Sequence, residues 1–341
     1  MPDQSTNPLR ADLVLEGGGV KGLGLVGAVT ALGEAGYSFP RIAGSSAGSV
    51  VAAFVAALQR AGEPVERLAD VALELDYRRF RDRGPLGRFA GPLGPVVDIF
   101  SLIFENGLYE GDYLHRLVAG RLRDLGVETF GDLRLPPDPD GALPEDRRYR
   151  LVVVASDVSR QRLVRLPWDY ARYGLDPDEQ RVADAVRASA SIPFFFEPVA
   201  MRWPAERGVA TLVDGGVLSN FPIWLFDRGD GRPPRWPTFG VRLSARDREP
   251  PRTEPVKGPV SLALSVVETM MEALDARHVD DPCVQARSIF VDGAHVSAVD
   301  FGITEGQQRE LFARGRTAAT AFLERWDFPA YIERCRAGAT S

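Results

Sequence analysis

Twice within its first fifty residues the chain runs a short apolar segment into glycine and then straight into a helical pattern. Leu13-Val14-Leu15 breaks into Glu16-Gly17-Gly18-Gly19, after which small and apolar residues recur at helical spacing from Leu23 to Leu32. Arg41-Ile42-Ala43 breaks into Gly44-Ser45-Ser46-Ala47-Gly48, and the apolar stretch from Ser49 to Leu58 reads as a buried helix. Parallel strands need a crossover between them, usually a helix, so strand–turn–helix units point to a parallel sheet. Four further apolar runs, Tyr149–Ala155, Val209–Val213, Thr238–Leu243 and Ser288–Val291, suit strands covered on both faces. Between them lie helical patterns at Asp178–Ala188, Val260–Arg277 and Thr304–Trp326, the last opened by a Thr304/Gln307 capping box. The expected fold is a three-layer α/β/α architecture with a mostly parallel central sheet.

A chain of 341 residues with 45% hydrophobic and 26% charged residues has the make-up of a folded globular protein, not of a disordered one. The stretches Leu135–Arg148, Gly229–Pro237 and Glu249–Pro259 are rich in proline, glycine and charge and read as surface loops, not domain boundaries. A single domain over residues 1–341 is expected. A formal charge of −6 gives the whole molecule no electrostatic reason to bind nucleic acid. The N-terminal residues lack the basic start and apolar core of a secretory signal, and no apolar run is long enough to span a bilayer. The expected compartment is the cytoplasm. Cys283 and Cys335 offer neither metal-ligand spacing nor a disulfide framework and read as ordinary thiols.

Gly44-x-Ser46-x-Gly48 between a strand and a helix matches the nucleophile elbow, in which a serine sits on a sharp, strained turn. Glycines two positions to either side remove the side chains that would collide across that turn. The helix that follows points the positive end of its dipole at the serine. Ser45 and Ser49 lack glycine at both flanking positions. The same small residues also occur in tight loops, so the strand before and the helix after carry the assignment.

The loop Gly17-Gly18-Gly19-Val20-Lys21-Gly22 admits two readings. Gly17, Gly19 and Gly22 satisfy G-x-G-x-x-G, which makes nucleotide binding by the Gly17–Gly22 loop the alternative function. A dinucleotide site wants a carboxylate at the end of the next strand, where this chain has Ala43-Gly44-Ser45-Ser46. The other use of such a loop is an oxyanion hole, whose convergent backbone N–H groups stabilise a tetrahedral intermediate. Lys21 either adds positive charge there or stays solvated.

Asp214 ends an apolar strand and is followed by Gly215-Gly216; taken alone, Asp-Gly-Gly is also a common turn. Strand ends on one edge of an α/β sheet are where sites gather, which lets Asp214 share an edge with Ser46. The three histidines, His115, His278 and His295, stand in no distinctive setting, and a Ser-Asp-His triad is the minority alternative.

Together and in this order, GGGVKG at 17–22, GSSAG at 44–48, SASIPFFFEP at 189–198 and DGG at 214–216 resemble the patatin-like phospholipases. The motif-bearing core covers about residues 11–225, with 238–330 completing the domain. The resemblance implies an acyl hydrolase acting on lipid esters through a Ser46–Asp214 dyad, with Gly17, Gly18 and Gly19 framing the oxyanion hole. It implies supporting roles for Lys21, Gly44, Gly48, Pro193, Gly215 and Gly216, and no metal or cofactor. Glu16 departs from the aspartate or small residue that many members carry before the glycines.

A lipid substrate requires contact with an interface. Tyr77–Phe89 carries five arginines against one acid, and the residues that follow to Tyr109 are rich in Leu, Val, Ile and Phe. Residues 77–109 read either as a membrane-facing lid making transient peripheral contact or as a solvated basic face beside a core helix. Phe194-Phe195-Phe196 suits an acyl channel or plain core packing equally.

Overall fold

The computed structural model describes residues 9–73, 111–137, 143–203, 208–243, 280–293 and 303–336, with scattered positions between 256 and 296. Segment 77–109 and most of the helical pattern at Val260–Arg277 lie outside the described residues, as do His278 and His295.

Among the described residues the strands are β1 (Leu9–Arg10), β2 (Asp12–Leu15), β3 (Tyr37–Ser38), β4 (Ile42–Ser45), β5 (Leu151–Asp157), β6 (Arg162–Leu166), β7 (Val199–Trp203), β8 (Gly208–Asp214), β9 (Thr238–Arg242) and β10 (Ser288–Phe290). Helices are α1 (Gly22–Glu34), α2 (Ala47–Ala61), α3 (Leu68–Leu73), α4 (Asp112–Asp124), α5 (Val182–Ser189), α6 (Pro282–Ala286), α7 (Glu305–Leu323) and α8 (Phe328–Arg336). β1 and β3 pair apart, and the remaining eight strands form the central sheet. Both glycine-broken runs become strand–turn–helix units, β2 into α1 and β4 into α2.

The sheet is mixed where a mostly parallel one was expected. β10, β9, β2, β4 and β5 pair in parallel, but β6 and β8 both pair antiparallel to β5, and β7 antiparallel to β8. The reason is loop length. Only Val158–Gln161 separate β5 from β6, and four residues allow a hairpin but no crossover. β6 and β7 carry arginine among their apolar residues, so they lack the continuous apolar run that marks a strand buried on both faces.

Register around β5 places the site. Val153 and Val154 pair with both β4 and β6, and Ala155 to Asp157 pair with both β6 and β8. A strand has two edges, so β4 and β8 must share the edge opposite β6, meeting end to end. Val154 faces Ser45, the last residue of β4, and Ala155 faces Asp214, the last residue of β8. Two strands far apart in sequence thus bring their C-terminal ends to one point.

β9 joins the sheet beside β2, and α7 packs on α1 with Gly27 against the Phe312 carbonyl. The expected capping box forms at the start of α7: Gln307 N–H donates to Thr304 Oγ1, and Thr304 N–H donates to Gln307 Oε1 at 2.8 Å. One expectation fails. Cys283 on α6 and Cys335 on α8 form a disulfide, with Cα atoms 5.6 Å apart across 52 residues of sequence. Spacing along the chain could not show this, because the packing of α8 beside α6 creates the pair.

Candidate active site

Ser46 stands between β4 and α2 with φ 50° and ψ −126°, one of few non-glycine residues with positive φ among those described. Such a conformation is costly and persists only when its surroundings hold it. The surroundings are specific. A Cβ on Gly44 would overlap the Gly48 carbonyl, and one on Gly48 would overlap the Leu15 carbonyl, so both glycines answer to close backbone approach. Ser49 Oγ donates to the Ser46 carbonyl at 2.6 Å across the first turn of α2.

Asp214 is completely buried at the point where β8 meets β4. Its Oδ1 accepts the Gly216 N–H at 2.8 Å, while Oδ2 is buried and meets no donor at full hydrogen-bond geometry. Burial pushes the carboxyl from its ordinary 3.8 up to about 7, against the Ser46 hydroxyl and the Gly216 N–H, which both pull it down. The Ser46 hydroxyl therefore lies within electrostatic reach of Asp214 without being locked to it. Catalytic hydrogen bonds are commonly loose before substrate binds. A Cβ on Gly215 would overlap the Val154 carbonyl and lie 2.6 Å from Ser45 Oγ, so the turn after Asp214 also needs glycine.

The glycine-rich loop lies against the serine. A Cβ on Gly17 would come within 2.9 Å of Ser46 Cβ and would overlap Asn220 Oδ1. The Gly17 N–H is already donated to the Asn220 carbonyl at 3.1 Å, and the Gly17 carbonyl accepts from Asn220 Nδ2 at 3.2 Å. Gly17 thus shapes the loop and has no N–H to offer a substrate. Among the described residues no group accepts the N–H of Gly18, Gly19 or Val20. Gly18 packs beneath Leu243, and Gly19 takes a positive φ of 54°. Lys21 closes the short 3-10 turn Gly19–Lys21, its aliphatic stem running 3.1 Å from where a Cβ on Gly293 would sit.

The sequence named several contributors without showing what they do. Glu16, the odd residue before the glycines, is buried; it accepts from Arg242 Nε at 3.0 Å and from the Leu243 N–H, tying the end of β2 to the end of β9. The end of α5 and the residues just after it hold both candidate catalytic residues by their backbones. Ser46 N–H donates to Ser189 Oγ at 2.9 Å, and Asp214 N–H donates to the Ser191 carbonyl at 2.9 Å. Buried Arg187 braces this segment through Ser191 Oγ at 2.5 Å and the Glu197 carbonyl at 3.1 Å. Pro193 opens the turn between those contacts, ahead of Phe194 at φ 67°. No spacing rule singles out Asn220, Arg187 or Glu16. Of the histidines, His115 is engaged with Asp184 at 2.6 Å between α4 and α5.

Residues 13–227 match the patatin-like phospholipase family. The chain is 38% identical over 317 residues to the uncharacterized protein YqhO of Bacillus subtilis (strain 168), covering 93% of this chain and 99% of that protein. It is 28% identical over 210 residues to the uncharacterized NTE family protein Rv2565 of Mycobacterium tuberculosis, 62% of this chain but 27% of that longer protein. VipD from Legionella pneumophila has a similar fold, with a TM-score of 0.51 at 19% identity, covering 93% of this chain and 67% of its own. The match over most of the β2-to-Asp227 span, together with the near full-length relative, places the chain in the patatin-like phospholipase family.

Proposed function

We propose that this protein hydrolyses carboxylic esters of phospholipids or other lipid esters, with Ser46 as nucleophile and Asp214 as its base. One observation carries the reading: a serine held at positive φ stands beside a fully buried carboxylate whose Oδ2 has no donor of its own. A carboxylate with pKa near 7 is a competent base at neutral pH, and burial has raised Asp214 to about that value.

In the first half of the reaction Asp214 takes the Ser46 hydroxyl proton as Oγ attacks the ester carbonyl. The Gly18 and Gly19 N–H groups receive the oxyanion, with the N-terminus of α2 adding positive potential. The carbon–oxygen bond to the alcohol then breaks, and Asp214 returns the proton to the departing oxygen. In the second half Asp214 accepts a proton from water, which attacks the acyl-Ser46 ester and releases the carboxylic acid. Ser46 regains its proton, and every proton taken is given back. Residues 77–109 would supply the contact with the lipid surface.

Labelling with a fluorophosphonate tests this. The wild type should label, Ser46→Ala should not, and Asp214→Asn should label at least about 10²-fold more slowly, as loss of a general base requires. Release of fatty acid from phosphatidylcholine vesicles and from a soluble aryl ester then separates lipid from general esterase activity. A folded wild type that neither labels nor releases acid, with or without vesicles, refutes the proposal.

A further inference from the structure

We infer that the Ser189 hydroxyl is spliced into the β4–β5 ladder and that this one-atom insertion holds Ser46 in its nucleophile conformation. The inference rests on Ser46 being the nucleophile, as proposed above.

The ladder itself shows the splice. β4 runs parallel to β5 from Ile42 opposite Leu151 to Ser45 opposite Val154. At its start Ile42 N–H donates to the Arg150 carbonyl at 2.7 Å. Bonds on one edge of a parallel strand recur every second residue. Two such steps on, the Ser46 N–H is due at the Val154 carbonyl. It goes elsewhere: Ser46 N–H donates to Ser189 Oγ at 2.9 Å, and Ser189 Oγ donates to the Val154 carbonyl at 2.6 Å. The hydroxyl accepts from one backbone and donates to the other, completing the missing rung by relay.

A hydroxyl suits this place because it carries a donor and acceptor on one atom. A direct rung spans about 2.9 Å from N to O, whereas a relay through a third atom lets the two backbones stand farther apart. That added distance lifts the Ser46 peptide off the sheet and into φ 50° without leaving a buried N–H or carbonyl unpaired. The same gap serves the base. Gly215 packs against the Val154 carbonyl just beyond the break, where β8 takes over the edge with Asp214 opposite Ala155. Ser191, two residues on, behaves differently: its hydroxyl turns back to the Arg187 carbonyl in the last turn of α5 at 2.8 Å. Ser189 is fully buried and spends its hydroxyl wholly on the elbow and β5. It is a positioning residue that reaches substrate only through Ser46.

The test is Ser189→Ala, read by crystallography and by kinetics. With the relay gone, Ser46 N–H should close directly onto the Val154 carbonyl, and Ser46 should leave positive φ. Misplacing a nucleophile by about 1 Å costs on the order of 10² in rate, so fluorophosphonate labelling and kcat on a soluble ester should fall about that far with KM unchanged. Ser189→Thr, which keeps the hydroxyl, should recover at least tenfold of the loss. A Ser189→Ala protein with Ser46 still near φ 50° and labelling at the wild-type rate overturns the inference. Should the alanine variant not fold, Ser189→Cys carries the same test through a weaker donor and acceptor: a wild-type labelling rate there also overturns it. If the wild type itself does not label, the hydrolase reading fails, and the Ser46 conformation in the variant crystal alone decides whether Ser189 holds the elbow.

Discussion

Asp214 should make the protein less stable as pH rises, and Asp214→Asn should remove that dependence. Burial raises the folded carboxyl to about 7 from its ordinary 3.8. Between those values the folded protein keeps a proton that the unfolded chain has released. Stability therefore declines as pH climbs from about 4 to about 7 and levels off above, because the group is then charged in both states. The interval is about 3 pH units at 1.36 kcal/mol each, or about 4 kcal/mol at full development. Asparagine is nearly isosteric, can accept the Gly216 N–H through its amide oxygen, and never ionises. The variant and the wild type should thus have similar stability near pH 4, and the variant should lead by several kcal/mol at pH 8. Urea denaturation at half-unit steps from pH 4 to pH 8 measures this, with the slope m held as the check that both unfold alike. A difference that stays flat across the range would mean that Asp214 is not held protonated by burial, and the account of its basicity would go with it. A carboxylate kept out of water destabilises the folded chain for the same reason that makes it basic.

The same shift predicts that kcat/KM on a soluble ester rises through a midpoint near pH 7 and is lost in acid, checked by a pH–rate profile. Asn220→Ala removes one hydrogen bond to the Gly17 carbonyl, about 1 kcal/mol, and should lower kcat up to about tenfold with KM unchanged in steady-state assays. Glu16→Ala strands Arg242, which is largely buried, and should cost about 3–5 kcal/mol of stability in denaturant titrations. Replacing Cys283 and Cys335 with serine opens a loop of 52 residues and should lower stability by about 4 kcal/mol, measured by urea unfolding, without slowing Ser46 labelling of the folded protein.

The units that carry the site were legible in the sequence because their signals are local. An apolar run ending in glycine, with helical spacing after it, identified β2–α1 and β4–α2 to within a few residues, since backbone geometry at a strand-to-helix turn restricts which side chains fit. Gly44, Ser46 and Gly48 could be named for that reason, as could Asp214 at the end of β8. Tertiary structure decided everything that depends on which distant segments share an edge. That β8 runs antiparallel and meets β4 end to end on β5, setting Asp214 beside Ser46, is a pairing between segments far apart in the chain. That Gly17 spends its N–H on Asn220 depends on a contact between residues 203 positions apart. The Cys283–Cys335 bond and the Ser189 relay are of the same kind, each made by segments brought together only on folding. Sequence determines which residue types can make a strained turn or a buried base, because those are properties of a few consecutive residues. Which carboxylate reaches which serine, and which hydroxyl completes which rung, is decided when the packed core brings separate segments within hydrogen-bonding distance.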